Sequence, residues 1–255
     1  NPAGDTAVLA VVPRTAPQDA ATSELVDRIR GEMLPAALAG TGGRGHVGGQ
    51  TATFDDLASK VSDSLGPLIG VVVALSLVLL ALAFGSLVLP VVSALLNLLS
   101  IAAAYGVVTL AFQTGVGTSL MGVAEQPIVS FVPMLMFAIL FGLSMDYNVF
   151  LLAAVREERE AGHDARAAVP LGVGRTASLI SVAGAIMTLV FLGFTFTTET
   201  EVKMIGLGLA TAVLVDVTVV RLFLAPAVLD LLGEKAWWLP APLRRRLAGR
   251  LALTH

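Results

Sequence analysis

Two acids in this 255-residue chain stand in apolar surroundings and could do chemistry there: Asp146, followed directly by Tyr147, and Asp216, followed five places on by Arg221. Asp146 lies ten residues before Arg156, which is about 15 Å along a helix at 1.5 Å per residue. That is half the thickness of a hydrocarbon core of about 30 Å, so a helix leaving the membrane at Arg156 carries Asp146 near mid-membrane. A carboxylate there costs about 2.5–3.5 kcal/mol on insertion scales, and such acids ordinarily face a bundle interior and work. Desolvation favours the neutral acid and a nearby cation favours the charged one, so the group can take up a proton and release it. Tyr147 points about 100° around the helix from Asp146 and is placed to meet another helix rather than its neighbour. The blander reading of Asp146 is a carboxyl held permanently by hydrogen bonds between helices. For Asp216 a packing role and a proton role are both open. Five α-helical residues turn about 140° net, so Asp216 and Arg221 are not expected to pair, and Arg221 is expected to reach toward the headgroups.

The elements that must position these residues are membrane helices. The chain is 56% hydrophobic and 14% charged, with a mean hydropathy of +0.84. Soluble domains are about 25% charged. No Asp, Glu, Lys or Arg occurs between Asp63 and Glu125. Backbone groups in lipid must be satisfied within the segment, so these runs are helices. Five spans are predicted, at about 65–84, 89–112, 128–155, 176–196 and 204–224, the last running on past Pro226 toward Gly233. Basic residues set the orientation. Arg156, Arg159, Arg166 and Arg175 lie in one connection, and Lys235, Arg244, Arg245, Arg246 and Arg250 in the tail. Both are expected to be cytoplasmic, which puts the N-terminal stretch outside. Trp237 and Trp238 fit an interfacial anchor.

Residues 1–64 read differently. A β-like apolar run is expected at 6–13 and a short helix at 22–31 capped by Thr22 or Ser23. A glycine-rich loop follows at 40–49, then a capping box at Thr53 and Asp56. That box opens an amphipathic helix with Phe54, Leu57, Val61 and Leu65 on one face, feeding the first span. The organisation expected is 1–64 as an extracytoplasmic α+β segment, 65–235 as the membrane domain and 236–255 as a basic tail. The missing initiator methionine and the shortness of 1–64 suggest a fragment.

The remaining polar features have plainer readings. Gly206, Gly208 and the Ala177, Ser181, Ala185 stripe read as close helix packing. Asn97 reads as an interhelical hydrogen bond, Met134, Met136 and Met145 as packing, and His163 and His46 as loop residues. No cysteine is present and no metal-ligand cluster, cofactor motif or nucleophile triad is visible; a net charge of −3 does not favour nucleic acid.

Several strings carry a family resemblance. Phe141-Gly142-Leu143-Ser144-Met145-Asp146-Tyr147, with Val149-Phe150-Leu151-Leu152 and Arg156-Glu157-Glu158, closely resembles the MmpL family of resistance–nodulation–division (RND) exporters. The resemblance recurs at Asn97-Leu98-Leu99-Ser100-Ile101, Ala104-Tyr105-Gly106, Ile205-Gly206-Leu207-Gly208-Leu209-Ala210, Asp216-Val217-Thr218-Val219-Val220-Arg221 and Trp237-Trp238-Leu239-Pro240. It implies the last five of twelve helices behind the end of a periplasmic porter domain, in a pseudo-twofold fold. It further implies proton-driven export of lipids or hydrophobic small molecules, not enzyme catalysis. Asp146 and Tyr147 match the family's proton relay and Phe150 matches a phenylalanine one turn below, with Ser144 and Asp216 as supporting residues. The implied partners are protons, cargo, the membrane and the absent N-terminal half with its own Asp-Tyr pair; the oligomeric state is open, a homo-oligomer included. Two other readings are an intramembrane aspartyl protease using Asp146 and Asp216, and a non-transporting accessory or sensing module. The protease class is expected to show Tyr-Asp and Gly-x-Gly-Asp, whereas here the order is Asp-Tyr and Leu209 follows Gly208.

Overall fold

A computed structural model of the chain describes residues 4–17, 19–123 and 127–240. It divides into two units, Asn1–Asp63 and Ser64–His255. Five helices are long and apolar enough to cross a membrane, at Gln50–Phe84, Val88–Gln113, Phe131–Glu160, Ala165–Phe196 and Thr200–Trp237.

In the first unit, α1 (Ala20–Arg28) continues through a π turn (Ile29–Met33) into α2 (Leu34–Leu38). The helix begins after Asp19, whose carboxylate accepts from the Ala16 N–H, so neither Thr22 nor Ser23 is its cap; Thr22 is buried inside it. The next helix, α3 (Gln50–Phe84), opens three residues ahead of the expected capping box at Thr53. Its first turns meet α1 and the π turn through polar groups: Ser23 donates to Asp55 at 3.0 Å, and Arg30 binds Asp56 at 2.5 Å and 2.9 Å. Phe54 and Leu57, expected on a packing face, are exposed. The α+β expectation for this region is corrected: residues 6–13 form no strand, and no strand occurs among the described residues. A β-run needs a partner edge for its N–H and C=O groups, and Val8, Leu9 and Val12 stand 93%, 87% and 87% exposed with none beside them.

In the second unit, α4 (Val88–Gln113), the short α5 (Gly115–Met121), α6 (Phe131–Glu160) and α7 (Ala165–Gly193) precede the last membrane helix. That helix has four parts: α8 (Thr200–Val215), a π-helical segment (Asp216–Leu224), α9 (Ala225–Leu232) and a 3-10 turn (Gly233–Trp237). α4, α6, α7 and α8 pack together around Ala104, Val108, Met136, Phe137, Met204 and Leu209, each 4% exposed or less. Polar caps close the ends of this apolar framework. Asp164 accepts from the Ala167 N–H to start α7, and Ser86 donates to the Ala236 carbonyl at 2.6 Å, tying the α3–α4 turn to the chain past α9.

Glycines set how closely the helices approach, as in lipid they must where no hydrophobic effect drives association. A Cβ at Gly208 would stand 2.2 Å from Met136, and one at Gly206 would stand 2.6 Å from Phe194, so both sites are the close contacts expected of them. On α7 the packing stripe differs from expectation. Gly172 meets Val155 on α6 and Gly184 meets Val217 on the last helix, with Ile180 and Thr188 buried one turn either side of Gly184, while Ser181 is half-buried and Ala185 exposed. Asn97 and Met136 are buried as expected, and Met145 packs against the core. The basic residues Arg244, Arg245, Arg246 and Arg250 and the acid Glu125 lie outside the described residues.

Candidate functional site

The middle of the bundle holds a polar cluster that three of the spans bring together. Ser144 and Asn148 are one turn apart on α6, and Asn97 and Ser100 are one turn apart on α4. Asp216 and Arg221 come from the π segment. All six are buried, with Asp216 at 3% and Arg221 at 1% exposure.

Asp216 and Arg221 pair, which corrects the expectation drawn from α-helical rotation. The guanidinium Nε donates to Asp216 Oδ2 at 2.8 Å, and Nη2 stands 2.8 Å from the same oxygen. The reason is local: in a π-helix the backbone bonds run i to i+5, so the fifth residue sits above the first. Arg221 therefore does not reach toward the headgroups. A charge sealed in a low-dielectric interior is tolerated only when it is paired and its remaining hydrogen-bonding groups are met. Nη1 accordingly donates to Asn148 Oδ1 at 3.2 Å, and Nη2 donates to the Ser144 carbonyl. The carboxylate is equally well met, accepting from Ser100 Oγ at 3.2 Å and from Ser144 Oγ at 2.9 Å. Asn148 Nδ2 donates to Asn97 Oδ1 at 3.0 Å, which is the interhelical bond expected of Asn97. Asn97 Nδ2 itself is buried without a partner.

Tyr147 covers one face of this cluster. Its ring lies 5.2 Å from the Arg221 guanidinium carbon, a cation–π contact that strengthens when desolvated. The side chain thus meets another helix, as its rotation from Asp146 requires. Asp146 takes no part in the network and is exposed on the surface of the bundle. Phe150, one turn on, is likewise exposed at 54%. So the structure gathers Ser144, Tyr147 and Asp216 and leaves Asp146 and Phe150 outward. Asp216 is committed to a guanidinium and two hydroxyls, which leaves no geometry here for two acids sharing one proton.

Chemically, the cluster is a neutral, fully engaged ion pair with an aromatic hydroxyl at its edge and a free-standing carboxyl one residue away. It has the parts to hold helices in a fixed relation. Among the described residues no group of His, Asp or Glu is arranged to hold a metal ion. Arg221, Asn148 and Ser100 are the members not expected from sequence. Their signal is polar side chains at three- or four-residue steps inside otherwise apolar spans.

Comparison with known proteins bears on the same chain. The model of the MMPL family matches residues 2–251. Membrane protein YdfJ of Bacillus subtilis is 35% identical over 94% of the chain, which spans 33% of that protein. The mycolic acid-containing lipids exporter MmpL11 of Mycolicibacterium smegmatis is 39% identical over 92% of the chain and 24% of its own length. The trehalose monomycolate exporter MmpL3 of the same organism is 37% identical over 78% of the chain and 20% of its own length. The chain therefore spans a third or less of the relatives it matches. With a family match over residues 2–251 and five helices long and apolar enough to cross a membrane, this membrane protein belongs to the MMPL family.

Proposed function

We propose that the chain supplies the second-half membrane bundle of a proton-driven exporter of lipids or hydrophobic small molecules at the bacterial plasma membrane. The observation that carries this reading is the setting of Tyr147. Its ring stacks on a guanidinium sealed inside the bundle, while the preceding Asp146 lies exposed on the bundle surface. That carboxyl lies one residue from a ring held on a fixed, buried charge pair. The names of the two mycobacterial relatives, exporters of mycolic acid-containing lipids and of trehalose monomycolate, support lipid cargo.

In this mechanism Asp146 binds a proton and the mid-membrane charge disappears. Tyr147 donates its hydroxyl hydrogen bond toward a carboxylate of the N-terminal half, and Arg221 fixes the ring from below. Ser144 and Asp216 hold Arg221 in place, and Phe150 shields the relay on its next turn. Loss of the Asp146 charge changes which packing of α6 against the π segment is favoured. A ligand shifts such an equilibrium only by its differential affinity for the two states, so proton affinity at Asp146 must differ between the inward- and outward-facing forms. The helix leading from the first unit into the membrane would pass the shift to the cargo-carrying region outside, with the 156–175 connection and the tail cytoplasmic.

The test is export by the complete gene product, wild type against Asp146→Asn, at matched membrane abundance. Export is expected to fall at least tenfold while insertion is unchanged. Persistence of export would make Asp146 structural and remove the relay. Tyr147→Phe, which keeps the ring over Arg221 and removes the hydroxyl, is expected to lose export while retaining the wild-type melting temperature.

A further inference from the structure

A guanidinium carries N–H donors on every edge and no acceptor, so each group that meets Arg221 in its plane must present an oxygen. That requirement runs outward through two amides. Asn148 turns Oδ1 to Arg221 Nη1 at 3.2 Å. Its Nδ2 is thereby aimed away from the cation and donates to Asn97 Oδ1 at 3.0 Å. Asn97 has to show its oxygen to Asn148, and its own Nδ2 is left buried without a partner. We propose that Asn97 and Asn148 are positioning residues for Tyr147: the amide pair fixes the guanidinium on which the ring rests, and so sets where the Tyr147 hydroxyl stands.

Three observations support this. The first is the unspent donor. Turning both amides end for end would give Asn97 Nδ2 a partner in Asn148 Oδ1, but it would set Asn148 Nδ2 against Arg221, donor against donor. A buried unmet donor costs more on a charged group than on a neutral amide. The pair is therefore held in the sense that serves Arg221 and leaves the orphan at Asn97. The second is the grip on the guanidinium. Asp216 takes Nε, the Ser144 carbonyl takes Nη2, and Asn148 takes Nη1. Tyr147 covers the face, its ring 5.2 Å from Cζ. Without Asn148 the Nη1 corner is free to swing and the plane beneath the ring tilts.

The third is the anchorage on α4. Ser100, three residues after Asn97, donates to Asp216 Oδ1 at 3.2 Å. That helix thus touches the carboxylate directly and the guanidinium through Asn148, so both ends of the ion pair are referred to one element. Asn97, Ser100 and Asn148 are 1%, 1% and 6% exposed, which keeps solvent from replacing a lost bond. The amide pair bears on export only through the relay reading of Tyr147, whereas the seating of the ring stands apart from it.

The experiment uses the complete gene product in lipid nanodiscs with 3-fluorotyrosine encoded at position 147, read by fluorine NMR. Asn97→Leu and Asn148→Leu are each expected to move the resonance by more than its linewidth and in the same direction. The double variant should move it no further than Asn148→Leu alone, because Asn97 acts through Asn148. The alanine variants, which add no bulk, carry the same expectation should a leucine variant fail to insert. Asn97→Asp keeps an oxygen toward Asn148 whether or not it is ionised, and should leave the resonance at its wild-type position. So should Thr188→Val, which removes a buried hydroxyl outside the cluster. Export is expected to fall about tenfold in Asn148→Leu, the weight of one hydrogen bond to a charged group. A resonance unmoved in inserted Asn97 and Asn148 variants would overturn the proposal, and so would Asn97→Asp displaced as far as Asn97→Leu. A moved resonance with undiminished export would uphold the positioning and remove Tyr147 from the relay.

Discussion

A guanidinium at 1% exposure inside apolar helices persists because its donors face oxygens from Asp216, Asn148 and Ser144. Removing one partner of such a pair leaves the other charge uncompensated, which costs about 3–5 kcal/mol, whereas replacing both by uncharged groups costs far less. Arg221→Met is therefore expected to lower the thermal stability of the purified protein sharply. Adding Asp216→Asn to it should recover most of the loss, as read by a melting curve in detergent. Recovered stability without recovered export would separate the structural work of the pair from its part in transport. How much of this was legible varies by residue. Asn97 and the outward meeting of Tyr147 with another helix follow from helical rotation and the cost of burying an amide. The pairing of Asp216 with Arg221 does not, because α-helical arithmetic puts 140° between them and nothing in the residue types announces a change of helix period.

At the scale of elements, the π segment and the α7 glycines are the features that decide fit. A Cβ on Gly184 would stand 2.5 Å from Val217 Cγ2, too close for a packed interface to absorb without moving. Gly184→Ala is expected to destabilise by about 1–3 kcal/mol, and Val217→Ala, which clears the space, should restore the melting temperature in the double variant. The existence of the five spans was plain from the apolar runs, since crossing a bilayer fixes both length and composition. The phase of packing on α7 was not. Small residues occupy several faces of α7, at Ala177, Ser181 and Ala185 as well as at Gly172 and Gly184, which are about 120° apart around the helix, and only the neighbouring helices distinguish them. The expected strand at 6–13 failed for a different reason: alternation and β-branched residues describe a candidate, but pairing needs a second edge.

Across the whole molecule, the absence of cysteine makes the proposed orientation directly measurable. Arg44→Cys in the first unit and His163→Cys in the α6–α7 connection, both exposed, should react oppositely with a membrane-impermeant maleimide on intact cells. Position 44 should label at once and position 163 only after permeabilisation; the reverse pattern would invert the topology. That orientation rests on the placement of basic residues. The membrane character was legible from composition, while the tail arginines that contribute to the orientation lie beyond the described residues. One further consequence follows from the ion pair itself. Asp216 and Arg221 together carry no net charge, so a membrane potential does no work on them when their segment shifts. A single charge crossing the field is worth about 2.3 kcal/mol per 100 mV. In the proposed relay, then, the moving segment is electrically silent, and this chain's share of any current the complete protein passes is carried by protons at Asp146 rather than by the ion pair.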